Sequence, residues 1–116
     1  MADIVDVFTR RYSYGCEAAD PMTALAFART LHHGRALPAI FASDIGHWDV
    51  PDDREVLPEA WELVEDGHLS RDDFRAFCFD HPVSLWADTN PAFFDGTSFE
   101  AAVRRRDVTQ VAPRPD

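Results

Sequence analysis

Cysteine is scarce in this chain of 116 residues. Its two cysteines, Cys16 and Cys78, lie too far apart to form a C-x-x-C redox or metal-binding motif. Because Cys78 stands between Phe77 and Phe79, we expect it to be a small core residue, with a disulfide to Cys16 as the alternative. Nothing in this pattern indicates secretion, so a reducing, cytoplasmic environment is the expectation.

Long hydrophobic runs are also absent. No apolar segment approaches the roughly 20 residues that a membrane-spanning helix needs. The first fifteen residues do not place a basic segment before an apolar one, so we expect no signal peptide. Hydrophobic residues nevertheless make up 46% of the chain and include nine Phe and three Trp, which favours a folded domain over disorder.

Basic residues are few relative to acidic ones. The chain has 11 Lys and Arg against 21 Asp and Glu, a net charge of −10, and between Asp44 and Asp80 there are 12 acidic and 3 basic residues. Such a stretch repels phosphates, so we expect no nucleic-acid partner and no binding to an anionic membrane. A solvated helix face is the plainest interpretation of the acidic stretch, and a role in metal or oxyanion chemistry is the alternative.

The hydrophobic spacing predicts a mostly helical chain with one convincing strand. That strand is the apolar run Leu37–Ser43, which has the composition of a strand buried on both faces. The predicted helices cover residues 2–12, 20–33, 53–66, 70–79, 80–89 and 98–106. Asp20 and Ser70 are the predicted N-terminal caps of the second and fourth of these helices, and Leu57 is assigned to the buried face of the third. We expect residues 1–106 to form one domain segment and residues 107–116 to be a frayed tail. A single strand leaves backbone groups unpaired at both edges, which indicates that strands outside this chain complete the sheet.

A polar loop follows the predicted strand and carries the candidate catalytic residues. Asp44 comes at the end of the strand, and His47 and Asp49 follow within five residues. Barrel enzymes place their active residues at the carboxyl ends of strands, which makes Asp44 a candidate. The D-x-x-H-x-D spacing is not specific for metal binding, and from spacing alone an ordinary loop-capping role is favoured.

The segment Phe41–Asp52, FASDIGHWDVPD, resembles the end of the eighth barrel strand and the following loop in amidohydrolase-related proteins of the amidohydrolase-2 branch. Upstream, Tyr14–Ala18 resembles the segment near the seventh strand, although Ala19 stands where a second acidic residue is expected. The blocks that extend the resemblance are Glu55–Ala60, Asp72–Arg75, His81–Val83 and Asn90–Thr97. Together these collinear blocks cover roughly residues 12–100.

This resemblance implies an α/β fold. The chain would be an incomplete C-terminal portion of a (β/α)8 TIM-type barrel, predominantly helical with one or two short buried strands. A whole barrel takes about 250 residues, so this chain supplies less than half. In the family, the aspartate of the eighth strand binds a divalent metal, with zinc the first expectation, or activates its bound water. Asp44 matches that aspartate, and His47 and Glu17 are the matching candidates for substrate loops.

The departure from the family is the missing histidine ligands. No H-x-H pair occurs, and the adjacent His32 and His33 point in different directions on a helix, where capping the helix end is the more natural role. The prediction is therefore a segment of a metal-dependent hydrolase or decarboxylase. Alone it would be inactive and bind no metal tightly. Its partner would be the rest of the barrel, and its small-molecule substrate would bind only to the complete enzyme. The alternative is a small non-catalytic helical domain that binds a partner through exposed apolar surface.

Overall fold

A computed structural model describes the backbone of residues 2–110 and the side chains of residues 4–106. The helices are α1 (Ala2–Arg10), α2 (Ala24–Phe27), α3 (Val56–Glu65), α4 (Arg71–Arg75), α5 (His81–Ala87) and α6 (Glu100–Gln110), and the strands are β1 (Tyr14–Glu17) and β2 (Ala39–Ala42). A 3₁₀ turn (Pro21–Thr23) precedes α2, and a π-helical segment (Ala76–Asp80) joins α4 to α5. The chain divides into two compact units, Met1–Pro82 and Val83–Asp116.

The strands β1 and β2 pair in parallel, with Tyr14 opposite Ala39 and Glu17 opposite Ala42. The strand predicted at Leu37–Ser43 is confirmed in its central four residues. The hydrophobic pattern gave no strand at β1, and the expectation that β2 stands without a neighbour in this chain is wrong. The pattern missed β1 because this strand is short, contains a glycine and alternates between half-buried and exposed residues, whereas the family resemblance placed Tyr14–Ala18 near a strand.

The core of the first unit lies between the strand pair and the helices. Phe77 is fully buried, and its ring makes edge contacts with Phe27 at 6.4 Å and Phe41 at 5.9 Å between ring centroids. The buried cluster comprises Ala26, Phe27, Ala39, Leu63, Leu69 and Phe77. Burying one aromatic side chain of this size contributes about 1.5–3 kcal/mol, so Phe77 is a main source of stability in this unit.

The helix α3 begins three residues later than the sequence predicts. Pro58 lies in its first turn, where the backbone N–H groups have no intrahelical partner, so a proline there breaks no hydrogen bond. Val56, Ala60 and Leu63 are buried, as the helical period predicts. Leu57 was assigned to the same face but is 54% exposed.

The helix predicted from Asp20 to about His33 is correct at its start and wrong at its end. The carboxylate of Asp20 accepts a hydrogen bond from the N–H of Met22 at 2.8 Å, and Pro21 occupies the first helical position. The α-helix nevertheless ends at Phe27, because Ala28 leaves the helical region with φ −72° and ψ 81°. Turns carry the chain from there to β2.

The helices α4 and α5 form one helical run with the π-helical segment between them. Ser70 caps its start, as the sequence predicts, by accepting a hydrogen bond from the N–H of Asp73 at 3.1 Å. A separate helix starting at Asp80 was expected, and that expectation is wrong. The N–H of His81 bonds to the carbonyl of Ala76, five residues back, so the backbone widens before Pro82, which has no N–H to donate.

The second unit contains most of α5, a turn region and α6. Trp86 stacks on Phe93 with ring centroids 5.2 Å apart. Glu100 accepts a hydrogen bond from the N–H of Gly96 at 2.8 Å and forms an ion pair with Arg104 at 2.7 Å. The predicted start of the tail at residue 107 falls inside α6, and residues 111–116 lie outside the described part. Among residues 2–110, no helix is long and apolar enough to cross a membrane.

Removing the cap of α4 should destabilise the protein measurably. We expect Ser70→Ala to lower the free energy of unfolding by about 1 kcal/mol, because the N–H of Asp73 loses its acceptor. Urea unfolding followed by circular dichroism measures the change. Ser98→Ala, at an exposed position in the second unit, is the control and should have no effect. Equal stability of the two variants would contradict a capping role for Ser70.

Candidate functional site

The carboxyl ends of the two strands open onto one cavity. Because β1 and β2 are parallel, Glu17 at the end of β1 and Asp44, two residues beyond β2, come to the same edge of the sheet. The cavity has a volume of about 130 Å³. Its lining residues are Glu17, Ala18, Ala19, Ala42, Ser43, Asp44, Asp49, Val50, Val56 and Glu59. The structure thus brings two of the three predicted site residues, Asp44 and Glu17, to one place.

The sequence suggests that Asp44 ends the strand. In the structure β2 ends at Ala42, and Asp44 is the first residue of a tight turn. Its φ of +49° lies in the left-handed region, which aspartate tolerates better than most residues other than glycine. Its carbonyl accepts a hydrogen bond from the N–H of His47 at 2.9 Å, which closes the turn. Asp49, further along the same loop, also lines the cavity.

His47 and Asp49 form a hydrogen-bonded pair beside the cavity. The distance between His47 Nδ1 and Asp49 Oδ1 is 2.5 Å. This bond to Asp49 raises the pKa of His47, and the negative charges of Asp49, Asp44 and Glu17 raise it further. The same bond lowers the pKa of Asp49. The pair occupies Nδ1 of His47 and leaves Nε2 for other contacts, although His47 itself does not line the cavity.

Glu59 is a cavity residue that the sequence did not reveal. The helical period assigns it to the solvated acidic face of α3. It reaches the cavity because Val56, one turn earlier on the helix, packs beside the loop that follows β2, and residues three apart lie on the same side of a helix. The three-residue spacing from Val56 was the only feature of the sequence that could have indicated a place for Glu59 at the cavity.

Four carboxylates, those of Glu17, Asp44, Asp49 and Glu59, line the cavity. Within the described residues, no group of three or more His, Cys, Asp or Glu side chains could hold a metal ion together. Nε2 of His32 donates a hydrogen bond to the carbonyl of Leu25 in α2 at 2.7 Å, so this histidine bonds to the local backbone.

The cysteines lie away from the cavity and are both free thiols. Cys78 packs against the buried cluster, as expected from its phenylalanine neighbours. Burial raises the pKa of Cys78 to about 12, which favours the protonated thiol over the nucleophilic thiolate.

Comparisons with protein-family models, with curated proteins and with solved structures find no match for this chain. The family resemblance therefore stays a prediction that rests on the sequence blocks alone.

The pairing of His47 with Asp49 is testable by titration. We expect the imidazole of His47 to titrate above its ordinary pKa near 6.5, and Asp49→Asn to bring the midpoint down because the hydrogen bond and the charge are lost. NMR of the histidine ring protons measures the midpoint. Asp53→Asn, an exposed neighbour on the same loop, is the control. A midpoint that does not respond to Asp49→Asn would refute the pairing.

The same pair predicts a pH window for its contribution to stability. The folded-state pKa of His47 is raised, so its contribution is full below the unfolded pKa and is lost as pH rises through the folded value. The folded-state pKa of Asp49 is lowered, so its contribution is lost as pH falls through that value. The pair therefore contributes most to stability at pH values above the unfolded-state pKa of the aspartate and below the unfolded-state pKa of the histidine. Both side chains are half exposed, at 55% and 51%, so solvent screening keeps the effect small.

Proposed function

We propose that this chain is the C-terminal segment of an amidohydrolase-related, metal-dependent hydrolase or decarboxylase. One observation carries the proposal: two adjacent parallel strands, at the positions that resemble the seventh and eighth strands of such a barrel, deliver Glu17 and Asp44 to one cavity at their carboxyl ends. That edge is where barrel enzymes assemble their active sites. The helix α3 follows β2, as a barrel helix follows its strand.

The proposed roles follow from position. Asp44 would be the carboxylate of the eighth strand. Glu17, at the end of β1, and His47, in the loop after β2, would lie near a small-molecule substrate. Asp44 is exposed at the cavity rather than buried under the loop, which leaves its oxygens accessible from solvent. In this proposal the remaining metal ligands come from other strands of the barrel, and this chain alone has little or no activity. The absence of an H-x-H pair from the sequence supports it.

A second candidate is a non-catalytic helical module that binds a protein partner. Large apolar side chains of the first unit support it, because Ile4, Phe8 and Tyr12 of the α1 region are between 50% and 61% exposed. Exposed apolar surface of this kind marks a contact surface or an aggregation risk. A partner surface and an incomplete barrel both leave such residues uncovered, so the cavity with its two strand-end carboxylates favours the barrel segment.

The DNA that precedes the coding sequence separates the two candidates. Translating it in all frames should reveal an H-x-H pair after an apolar strand, in a continuous frame or one frameshift away. An unrelated gene that ends immediately upstream would count heavily against the barrel segment and favour the independent module.

Zinc titration of the purified 116-residue chain tests the incomplete ligand set. We expect weak binding, and we expect Asp44→Asn to weaken it further by about tenfold, since a lost ligand or its support typically changes metal affinity by 10–100-fold. Isothermal titration calorimetry gives the affinities, and Asp53→Asn controls for the loss of one negative charge. Stoichiometric, tight zinc binding by a monomer would show that the ligand set is complete.

A further inference from the structure

The backbone of Ala39 faces the outer edge of β2, on the side away from β1. The N–H of Tyr14, which lies opposite Ala39, donates to the carbonyl of Pro38 at 3.0 Å. Because backbone groups alternate in direction along a strand of a parallel pair, the N–H and the carbonyl of Ala39 point outward. Ala39 is fully buried, so leaving these groups unpaired would be costly, and unpaired edge groups can pair with another strand.

Both outward groups of Ala39 have partners within the chain. Its N–H donates to the carbonyl of Leu37 at 2.8 Å. Its carbonyl accepts a hydrogen bond at 2.7 Å from Nδ1 of His81, a side chain 42 residues further along the sequence. Since a carbonyl can only accept, Nδ1 carries the proton. The imidazole thus takes the place of the N–H of a neighbouring strand, and this contact between His81 and Ala39 is called the edge cap below.

The core holds the imidazole of the edge cap in position. The ring of His81 stacks on that of Phe27, with centroids 5.9 Å apart and planes at 5° to each other. Phe27 is itself buried and makes an edge contact with Phe77, the fully buried ring of the cluster. A strand that approached Ala39 would therefore have to move a ring that is packed on the core.

The π-helical segment Ala76–Asp80 sets the direction in which His81 projects. The N–H of His81 bonds to the carbonyl of Ala76, five residues back, where an α-helix would bond four residues back. Each residue of an α-helix turns the side-chain direction by about 100°, so without the extra residue in this turn His81 would point well away from β2. Phe77, in the same segment, lies in the buried cluster. The widened turn therefore places Phe77 in the core and His81 on the edge of β2.

We propose that the edge cap is a protective device that closes β2 to the addition of a further strand. The ring of His81 bonds to the carbonyl that a strand would use and occupies the space beside it. Natural sheets cover exposed edges in this way because an open edge can pair with other chains and aggregate. The residues involved all lie in the first unit, so the device operates in this chain whether or not the barrel assignment is correct.

Three variants separate the edge cap from a general loss of stability. His81→Ala removes both the donor and the ring, whereas His81→Asn keeps a side-chain N–H donor for the carbonyl of Ala39. Ser70→Ala, which weakens the same unit at the start of α4, is the control for lost stability. The net charge of −10 opposes contact between copies, so the comparison is made in high salt, which screens that repulsion. Circular dichroism checks that the variants are folded.

Light scattering measures the rate of aggregation, and infrared spectroscopy detects intermolecular β-sheet. We expect His81→Ala to form such sheet about tenfold faster than the wild type, because the edge of β2 is open. His81→Asn and Ser70→Ala should stay within about twofold of the wild type. The proposal is wrong if His81→Ala aggregates no faster than the wild type, or if either of the other variants aggregates as fast as His81→Ala.

A measurement on the wild-type chain tests the edge cap even if His81→Ala does not fold. In NMR, the neutral ring of His81 should carry its proton on Nδ1 and show a scalar coupling across the hydrogen bond to the carbonyl carbon of Ala39. A neutral ring protonated on Nε2 would have no donor for that carbonyl and would overturn the proposal.

Discussion

The parallel pairing of β1 with β2 is the constraint on which the rest of the first unit depends. It brings the ends of two segments more than twenty residues apart to one edge, so that Glu17 and Asp44 line the same cavity. It also places Ala39 in the same buried cluster as Phe77, and both residues are fully buried. Without this pairing, the residues at the end of β1 would not line the cavity, and Asp44 and Asp49 would face only water.

Local signals were enough to predict some of this fold. The caps at Asp20 and Ser70 and the strand β2 each depend on a few neighbouring residues, and the structure confirms all three. The strand β1 could not be predicted from its pattern, because four residues containing Gly15 become a strand only by pairing with β2. The π-helical segment before Pro82 was equally invisible, since it depends on how a continuous helix accommodates a proline.

The candidate site also has some residues that the sequence identified and some contacts that it did not. Asp44 was found because it follows an apolar strand, and the resemblance added Glu17 and His47. The contact of His47 with Asp49 depends on a turn that the left-handed conformation of Asp44 creates, which spacing does not specify. Glu59 reaches the cavity from a helix face that looked solvated. Side chains that meet across a loop and a helix require tertiary geometry, and sequence periodicity within one element does not contain it.

The two edges of the strand pair would behave differently during assembly of the proposed barrel. A strand added beside β2 must replace His81 as the hydrogen-bond partner of the Ala39 carbonyl. Because one hydrogen bond is exchanged for another of similar strength, the new bond contributes little net free energy. It must also release His81 from its stacking on Phe27. A strand added beside β1 displaces only water, because Gly15 and Glu17 are exposed. Strand addition should therefore begin at β1.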